Sequence, residues 1–205
     1  MHRCLFTCLL VFLLPGAAQT QYDSNLQPDS QPNSQPGVRL RGQSFSDLYA
    51  AQRMLLSSFC RLDFEGVRLQ AGGWDRFRPY TSLRDNPEFT RILIVTRFDI
   101  ETPDQPSEEL SVHFQALGSY QLGEGYTADK SSQSAEFRVQ EQNGALLITA
   151  VSPESPHVSP RAALAWMKRL LDDPKTDDLE RQHLRDAVNQ LNTLLTPAPP
   201  TPGGQ

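Results

Sequence analysis

The chain is short of the residues from which compact reactive sites are built. Its 205 residues include 3 cysteines and 4 histidines, and neither a Cys-x-x-Cys pair nor a His-Glu-x-x-His spacing brings any of them together. Structural zinc sites depend on such spacings. The segment Gly123-Glu124-Gly125 is not followed by Gly-Lys-Ser or Gly-Lys-Thr, so it is interpreted as a turn and not as a phosphate loop. The sequence therefore predicts no metal site and no cofactor.

Basic residues are outnumbered in this chain. It carries 19 Lys and Arg against 24 Asp and Glu, which gives a formal charge of −5 at neutral pH. Proteins that bind nucleic acid gain much of their affinity by neutralising phosphates with basic side chains. The charge balance argues against a nucleic-acid partner, and the length suits one domain with flexible ends better than a multidomain enzyme.

The longest apolar run lies at the start of the chain. Arg3 precedes the apolar residues 4–14, and the small residues 16–18 follow them. This pattern is typical of a secretory signal peptide, and the run falls short of the roughly 20 residues needed to span a bilayer. We predict a signal peptide over residues 1–18, with an uncleaved anchor as the alternative. The protein is then exported, periplasmic or secreted, without a transmembrane span in the mature chain.

Loss of the signal peptide leaves Cys60 as the only cysteine. No disulfide can then form within the chain, so the domain has to be stabilised by its apolar core. A small disulfide-linked scaffold is excluded on the same ground.

Both ends of the mature chain have a low-complexity composition. Residues 19–43 are rich in Gln, Pro and Ser, and residues 196–205 in Pro and Gly. Such segments bury too little apolar surface to offset the entropy of ordering them, so we predict a disordered linker and a disordered tail. The folded part is then residues 44–195, with an α+β domain over 44–173 and a C-terminal helix over 174–195.

The folded part opens with helical periodicity. Ser44 and Asp47 have the spacing of a capping box. An apolar stripe follows at the intervals of one helix face, which predicts a long first helix with Cys60 as a small buried side chain beside the stripe. The stripe consists of Leu48, Ala51, Leu55, Phe59 and Leu62.

Helical spacing returns at the end of the folded part. One short helix is predicted over residues 162–171, and a final helix follows Asp177, which has capping-box spacing to Glu180. An apolar stripe lines the final helix at Leu179, Leu184, Val188, Leu191 and Leu195. If this helix does not pack on the sheet, its stripe would suit a partner helix or a homodimer.

Alternating patterns predict antiparallel strands in the middle of the chain. Residues 91–101 form a long segment rich in β-branched side chains, which predicts a first strand. Apolar and polar residues alternate over residues 110–116, which predicts a second strand. Period-two spacing assigns four side chains of the first of these strands to one core face. They are Ile92, Ile94, Phe98 and Ile100.

A hairpin follows these strands. Asn143-Gly144 is a strong tight-turn signal between residues 135–141 and residues 145–151. The second segment is apolar on both faces, which favours an interior position in the sheet. Residues 152–160 contain three prolines, so we expect no regular structure there.

This order of elements predicts an α+β fold in which helices cover one face of a curved sheet. Over residues 44–151 the chain resembles the nuclear transport factor 2-like (NTF2-like, or SnoaL-like) superfamily, especially its exported bacterial members. The resemblance lies in the order of elements and in a few short segments. These are Phe59-Cys60-Arg61-Leu62-Asp63, Trp74, Pro79-Tyr80-Thr81 and Val95-Thr96-Arg97-Phe98-Asp99. It implies a long N-terminal helix packed on a curved antiparallel sheet as a cone, here followed by two C-terminal helices.

The resemblance also implies a ligand site. NTF2-like cones can hold a small apolar ligand at the open end, and here Trp74 and Tyr80 would lie near that mouth. The candidate ligand-binding residues are therefore Trp74, Tyr80, Phe98 and Phe114. The same residues would equally make an ordinary core.

No catalytic residue is assigned. Enzymes of the family place an Asp, a Tyr or a His inside the cone, whereas the strand positions assigned to the inner face here are apolar or Thr96. An acid or base for proton transfer is then missing. His157 lies near Ser155 and Ser159 without a Gly-x-Ser-x-Gly elbow, so we interpret it as packing on the sheet or capping the next helix.

These observations favour an exported, non-enzymatic binding module for a small apolar ligand or a protein partner. The alternative is a small enzyme of isomerase, dehydratase or hydrolase type with its site in the cone. A third hypothesis is a homodimer formed through the C-terminal helices.

Overall fold

The computed structural model describes residues 44–196. In this part of the chain, two short 3-10 helices, Val67–Leu69 and Gly73–Arg76, follow the first α-helix, and six strands and two further α-helices come after them. The α-helices are α1 (Phe45–Phe64), α2 (Pro160–Asp172) and α3 (Asp178–Leu195); the strands are β1 (Arg91–Ile100), β2 (Glu109–Gln121), β3 (Gly125–Ala128), β4 (Ser132–Gln142), β5 (Ala145–Ser152) and β6 (His157–Val158). The predicted α+β class is confirmed.

The strands form one curled sheet that is mostly antiparallel. Its order is β5-β4-β2-β1-β6, and β3 pairs with the second half of β2. Only β6 runs parallel to its neighbour β1. The sheet is curled like half of a barrel, and that curl gives it a concave surface against which a helix can pack.

Helix α1 begins at the predicted capping box. The Ser44 side chain accepts a hydrogen bond from the Asp47 backbone N–H, and the Asp47 carboxylate accepts one from the Ser44 backbone N–H. The helix buries the predicted stripe, with Ala51, Leu55 and Phe59 inside the core. Its fixed start therefore sets which face meets the sheet.

The side chains of β1 switch from one face of the sheet to the other midway along the strand, which corrects the predicted core face. Register shifts occur between Ile94 and Val95 and again between Val95 and Arg97, so Thr96 is an extra residue. An extra residue moves every later side chain to the other face. Phe98 and Ile100 consequently pack with Leu93 and Val95, whereas Ile92 and Ile94 belong to the opposite core.

Helices cover both faces of the sheet, and the expectation that they cover only one is wrong. Helix α1 packs on the face that carries Phe98, which we call the inner face. Helices α2 and α3 pack on the other, outer face, where Ile92 and Ile94 meet buried side chains of both helices. The helical ones are Ala163, Trp166, Met167, Leu184, Ala187 and Leu191. The middle of the predicted α3 stripe, at Leu184 and Leu191, is thus buried within the chain, whereas Leu179 and Leu195 at its two ends are exposed.

The two edges of the sheet also differ from expectation. Strand β5 is an edge strand and not an interior one; residues 80–82 cover it, with Ile148 N–H donating to the Tyr80 carbonyl and Ser82 N–H to the Ile148 carbonyl. At the other edge, His157 and Val158 form strand β6 inside a segment predicted to be irregular. The covered edge explains why β5 is apolar on both faces.

The predicted signal peptide (residues 1–18), the linker (19–43) and all but the first residue of the tail (196–205) lie outside the described residues. Within residues 44–196, no helix has the length and hydropathy needed to cross a membrane.

Candidate functional site

Aromatic rings fill the space between α1 and the inner face of the sheet. Phe59 contacts Phe77 and Phe137 edge-on, at ring-centre distances of 4.9 and 5.8 Å, and Trp74 stacks on Phe77 at 5.1 Å. Phe59, Phe77 and Phe137 are at most 1% exposed. Each such ring pair contributes about 0.5–1.5 kcal/mol beyond the burial of its area. The space that a ligand would occupy in an open cone is occupied by this core.

The four candidate ligand-binding residues all belong to that core. Trp74 lies in the Phe59–Phe77 group, whereas Phe98 and Phe114 form a separate pair at 6.4 Å. Tyr80 is half-buried against the same cluster, beside β5. The structure thus brings Phe98 and Phe114 together and holds Trp74 in another ring group. None of the four lines the groove described next.

A groove with a cavity volume of about 270 Å³ lies beside this core. Three separate segments form it: the first half of α1, the loop between β1 and β2, and the β4–β5 hairpin. We call it the hairpin groove. Its lining residues are Leu48, Gln52, Pro106, Ser107, Glu108, Val139, Gln140, Glu141 and Leu146.

The hairpin groove has an apolar floor and a polar wall. Val139 and Leu146 are 1% and 2% exposed, and Leu48 is half-buried, so these three supply the floor. Gln52 is 3% exposed, and its amide nitrogen donates to the Ser107 carbonyl at 2.9 Å. This bond fixes the loop against α1. A mostly apolar concavity with a few fixed polar groups is the usual form of a small-molecule site.

A second hydrogen bond in the polar wall joins the β1–β2 loop to the β4–β5 hairpin. The Gln140 amide donates to the Glu108 carboxylate at 2.8 Å. Glu108 and Glu141 are both exposed, and within residues 44–196 they are the only charged residues that line the groove. The wall is therefore negatively charged, above a floor that can only make apolar contacts.

A buried ion pair lies at the far end of α1. Arg68 Nε is 3.2 Å from Asp63 Oδ1, and the two side chains are 1% and 4% exposed. Arg68 Nη2 donates to the Glu154 carbonyl at 2.7 Å, while Nη1 has no hydrogen-bond partner within the described residues. The pair joins α1, the first 3-10 helix and the segment that leads into β6.

His157 adjoins this pair and fulfils the expectation that it packs on the sheet. Its ring stacks on Phe114 at 3.8 Å between centres, and its backbone N–H donates to Asp63 Oδ2 at 3.0 Å. The ring also borders a cavity of about 60 Å³, whose wall includes Ser134 and Ser155. That volume is roughly that of two water molecules at liquid density. It is well below the usual range of about 300–1,000 Å³ for sites that hold drug-sized ligands.

Cys60 is buried, as expected. Burial raises the pKa of its thiol well above the ordinary value, and the neighbouring Asp63 carboxylate raises it further. A nucleophilic cysteine requires the opposite shift, because the thiolate is the reactive form. The thiol is therefore part of the core.

A further polar cluster holds α3 to the outer face. Asp177 caps α3, but the Glu180 carboxylate does not return to the cap; it accepts hydrogen bonds from the Tyr120 hydroxyl and the Gly123 backbone N–H. Burial and then the bond to Glu180 raise the pKa of Tyr120 above its ordinary value. The Glu180 carboxylate thus helps to attach α3 to the outer face of the sheet.

In residues 44–196, no three His, Cys, Asp or Glu side chains lie close enough together to hold a metal ion. His113 is exposed, and its two ring nitrogens form hydrogen bonds with the Ser134 hydroxyl and the Glu101 carboxylate.

Sequence reasoning did not find the buried ion pair or the hairpin groove. Asp63 lies four residues after Phe59, on the apolar stripe of α1, and an acid in that position is the signal that could have pointed to a buried partner. The groove has no comparable signal, because its lining comes from three separate segments.

Comparisons of the chain with protein-family models, with curated proteins and with solved structures found no match.

Proposed function

We propose that this protein is an exported, non-enzymatic binding module that holds a small molecule in the hairpin groove. The observation that carries the proposal is the contrast between two spaces. The region under α1 is filled by buried rings, whereas the hairpin groove beside it is open, has an apolar floor and has a wall fixed by the Gln52–Ser107 bond. Binding there buries apolar surface and requires no bond chemistry.

The proposal keeps an NTF2-like cone as the fold. A curled sheet with α1 against its inner face supports it. Two features are additions to the arrangement that the sequence resemblance implies: the parallel strand β6, and the α2–α3 layer on the outer face. The ligand position differs as well, because it moves from the cone interior to the groove beside it.

Export is part of the same proposal. It is supported by the sequence pattern of residues 1–18 and by the single buried cysteine of the folded part, which leaves the core independent of the redox state of the compartment.

A second candidate is an enzyme, and one observation favours it. His157 lines the 60 Å³ cavity, and its Nδ1 is 3.7 Å from Asp63 Oδ2. A carboxylate that orients a histidine is a common arrangement for a general base. We prefer the binding module because the cavity holds only about two waters and the ring is fixed by stacking on Phe114.

The two candidates are separated by an NMR screen of the ¹⁵N-labelled protein with a library of small neutral and charged fragments. We expect amide shifts that cluster at Ser107, Glu108, Gln140 and Glu141. Leu48→Trp should abolish them by filling the groove. Ala50→Trp is the matched control, since Ala50 lies on the same helix, is exposed and does not line the groove.

Shifts centred on Ser134, Ser155 and His157 would favour the enzyme instead. No fragment-induced shift at the groove, or shifts that survive Leu48→Trp, would contradict the binding proposal.

A further inference from the structure

We infer that the ligand of the hairpin groove is a small organic cation: an amine or ammonium compound whose apolar part lies on the floor while its positive charge faces the wall. The inference rests on the proposed function and adds the chemical class of the ligand. It is based on the apolar floor together with the negatively charged wall, because neither feature by itself specifies a class of ligand.

Within residues 44–196, no cation is paired with the negative charge of the wall. Glu108 and Glu141 line the groove, and the ion pairs of residues 44–196 include neither carboxylate. Arg138 is close enough to sense the charge of Glu108, but its guanidinium is bound to Glu109 and does not line the groove. A cationic ligand would therefore supply the missing positive charge.

The polar side chains that are fixed in the wall favour a hydrogen-bond donor on the ligand. Gln140 donates its amide to Glu108, and Gln52 donates its amide to the loop carbonyl of Ser107. Each amide nitrogen thereby gives one of its two N–H groups to a protein acceptor. An ammonium group carries only donors, and it can use the remaining carboxylate lone pairs.

The floor and the volume limit the rest of the ligand. Leu48, Val139 and Leu146 offer apolar contact alone. A cavity of about 270 Å³ lies just below the usual range of about 300–1,000 Å³ for drug-sized ligands. One ring or a short alkyl chain with a single charged end fits this description, whereas a peptide or a lipid does not.

The test uses three probes with the same apolar part: 2-phenylethylamine, 2-phenylethanol and 3-phenylpropionate. Affinity is measured by NMR titration of the ¹⁵N-labelled full chain at neutral pH and low salt, with groove amides as the readout. We expect the ammonium probe to bind about fivefold more tightly than the alcohol, and the carboxylate probe to bind most weakly. High salt should shrink the difference, since exposed charges are screened.

Variants assign the preference to the two carboxylates. In the double variant E108Q/E141Q, the ammonium and alcohol probes should bind equally. E136Q is the matched control, because Glu136 is an exposed glutamate on β4, the strand of Glu141, and lies outside the groove lining. Its carboxylate accepts a hydrogen bond from Ser111, and the preference for the ammonium probe should be retained in this variant.

The outcomes separate the two levels of the proposal. If the ammonium and alcohol probes shift the groove amides with equal affinity in the unmodified protein, the cation inference is wrong and the groove remains a ligand site. If none of the three probes shifts those amides, the proposed function and the inference are both overturned.

Discussion

The two faces of the sheet bury charge in different ways. On the inner face, Asp63 and Arg68 are almost completely removed from water. On the outer face, Tyr120 is fully buried, but the Glu180 side chain that accepts its hydrogen bond stays 15% exposed. Water can still solvate the second carboxylate and not the first. The cost of losing a partner should therefore fall from the inner face, through the outer face, to the exposed sheet surface.

The largest expected effect comes from Arg68→Met, which leaves the Asp63 carboxylate buried without its partner. Loss of one member of a buried ion pair costs about 3–5 kcal/mol of unfolding free energy. The double variant Asp63→Asn, Arg68→Met should recover most of this loss, because it removes the uncompensated charge. Urea unfolding of the purified variants measures both values.

Arg61→Met is the control for that experiment. Arg61 pairs with Glu65 on the exposed side of α1, where its side chain is 79% exposed. Such an i,i+4 pair contributes about 0.5 kcal/mol or less. Equal losses for Arg68→Met and Arg61→Met would show that the inner pair does not stabilise the fold.

Tyr120→Phe should have an intermediate effect on the outer face. The variant keeps the ring and removes a hydrogen bond to a carboxylate, which is worth about 1.5–3 kcal/mol. Tyr126→Phe is the matched control, because the Tyr126 hydroxyl donates to the neutral Leu117 carbonyl and its loss should cost about 0.5–1.5 kcal/mol. The same urea measurement applies; a smaller loss for Tyr120→Phe than for the control would contradict the assigned role of Glu180.

The pKa of Tyr120 also predicts an alkaline limit to stability. Its folded pKa lies above that of an unfolded tyrosine, about 10. The stabilisation is thus complete below about pH 10 and is lost as the pH rises above it toward the folded pKa. Tyr120→Phe should flatten this decline without abolishing it, since burial also raises the pKa of Tyr126.

Cys60 contributes to an earlier part of the same decline. The unfolded thiol titrates near pH 8.5, and burial raises its pKa in the folded protein. Cys60→Ala should therefore flatten the decline that starts at about that pH, whereas Tyr120→Phe acts above pH 10. Urea midpoints measured against pH distinguish the two variants. A Cys60→Ala profile identical to that of the unmodified protein would refute the role of Cys60, and an identical Tyr120→Phe profile would refute that of Tyr120.

The smallest effect is expected on the exposed sheet surface. Glu109 accepts a hydrogen bond from Arg138 across β2 and β4, and both side chains are at least half exposed. Glu109→Gln should leave the unfolding free energy unchanged within the error of the measurement, since solvent screens such pairs. A loss as large as that of Tyr120→Phe would break the proposed ranking by burial.

Much of the local structure was predictable because it depends on neighbours in the sequence. Ser44 and Asp47 are three residues apart and cap α1 as predicted, and Asn143-Gly144 makes the β4–β5 turn. The error on β1 has a non-local cause. Thr96 is compatible with a regular strand, and nothing in its own neighbourhood shows that β2 pairs around it and shifts Phe98 to the other face.

The candidate sites were less predictable than the elements. Trp74, Tyr80, Phe98 and Phe114 were predicted as candidate ligand-binding residues, but aromatic residues that could line a pocket can also fill it. Only their packing distances distinguish the two cases. Glu180 shows the same limit: its spacing to Asp177 fits a capping box, while its carboxylate binds Tyr120, 60 residues away.

The sequence by itself determined the α+β class, the start of α1, the hairpin turn and the burial of Cys60, because each depends on short-range periodicity or capping. The tertiary structure alone decided that helices cover both faces, that Asp63 meets Arg68 out of water, and that three distant segments enclose the hairpin groove. Those features depend on strand register and on contacts between residues far apart in the chain. A one-residue bulge at Thr96 is enough to move the side chains that follow it to the other face.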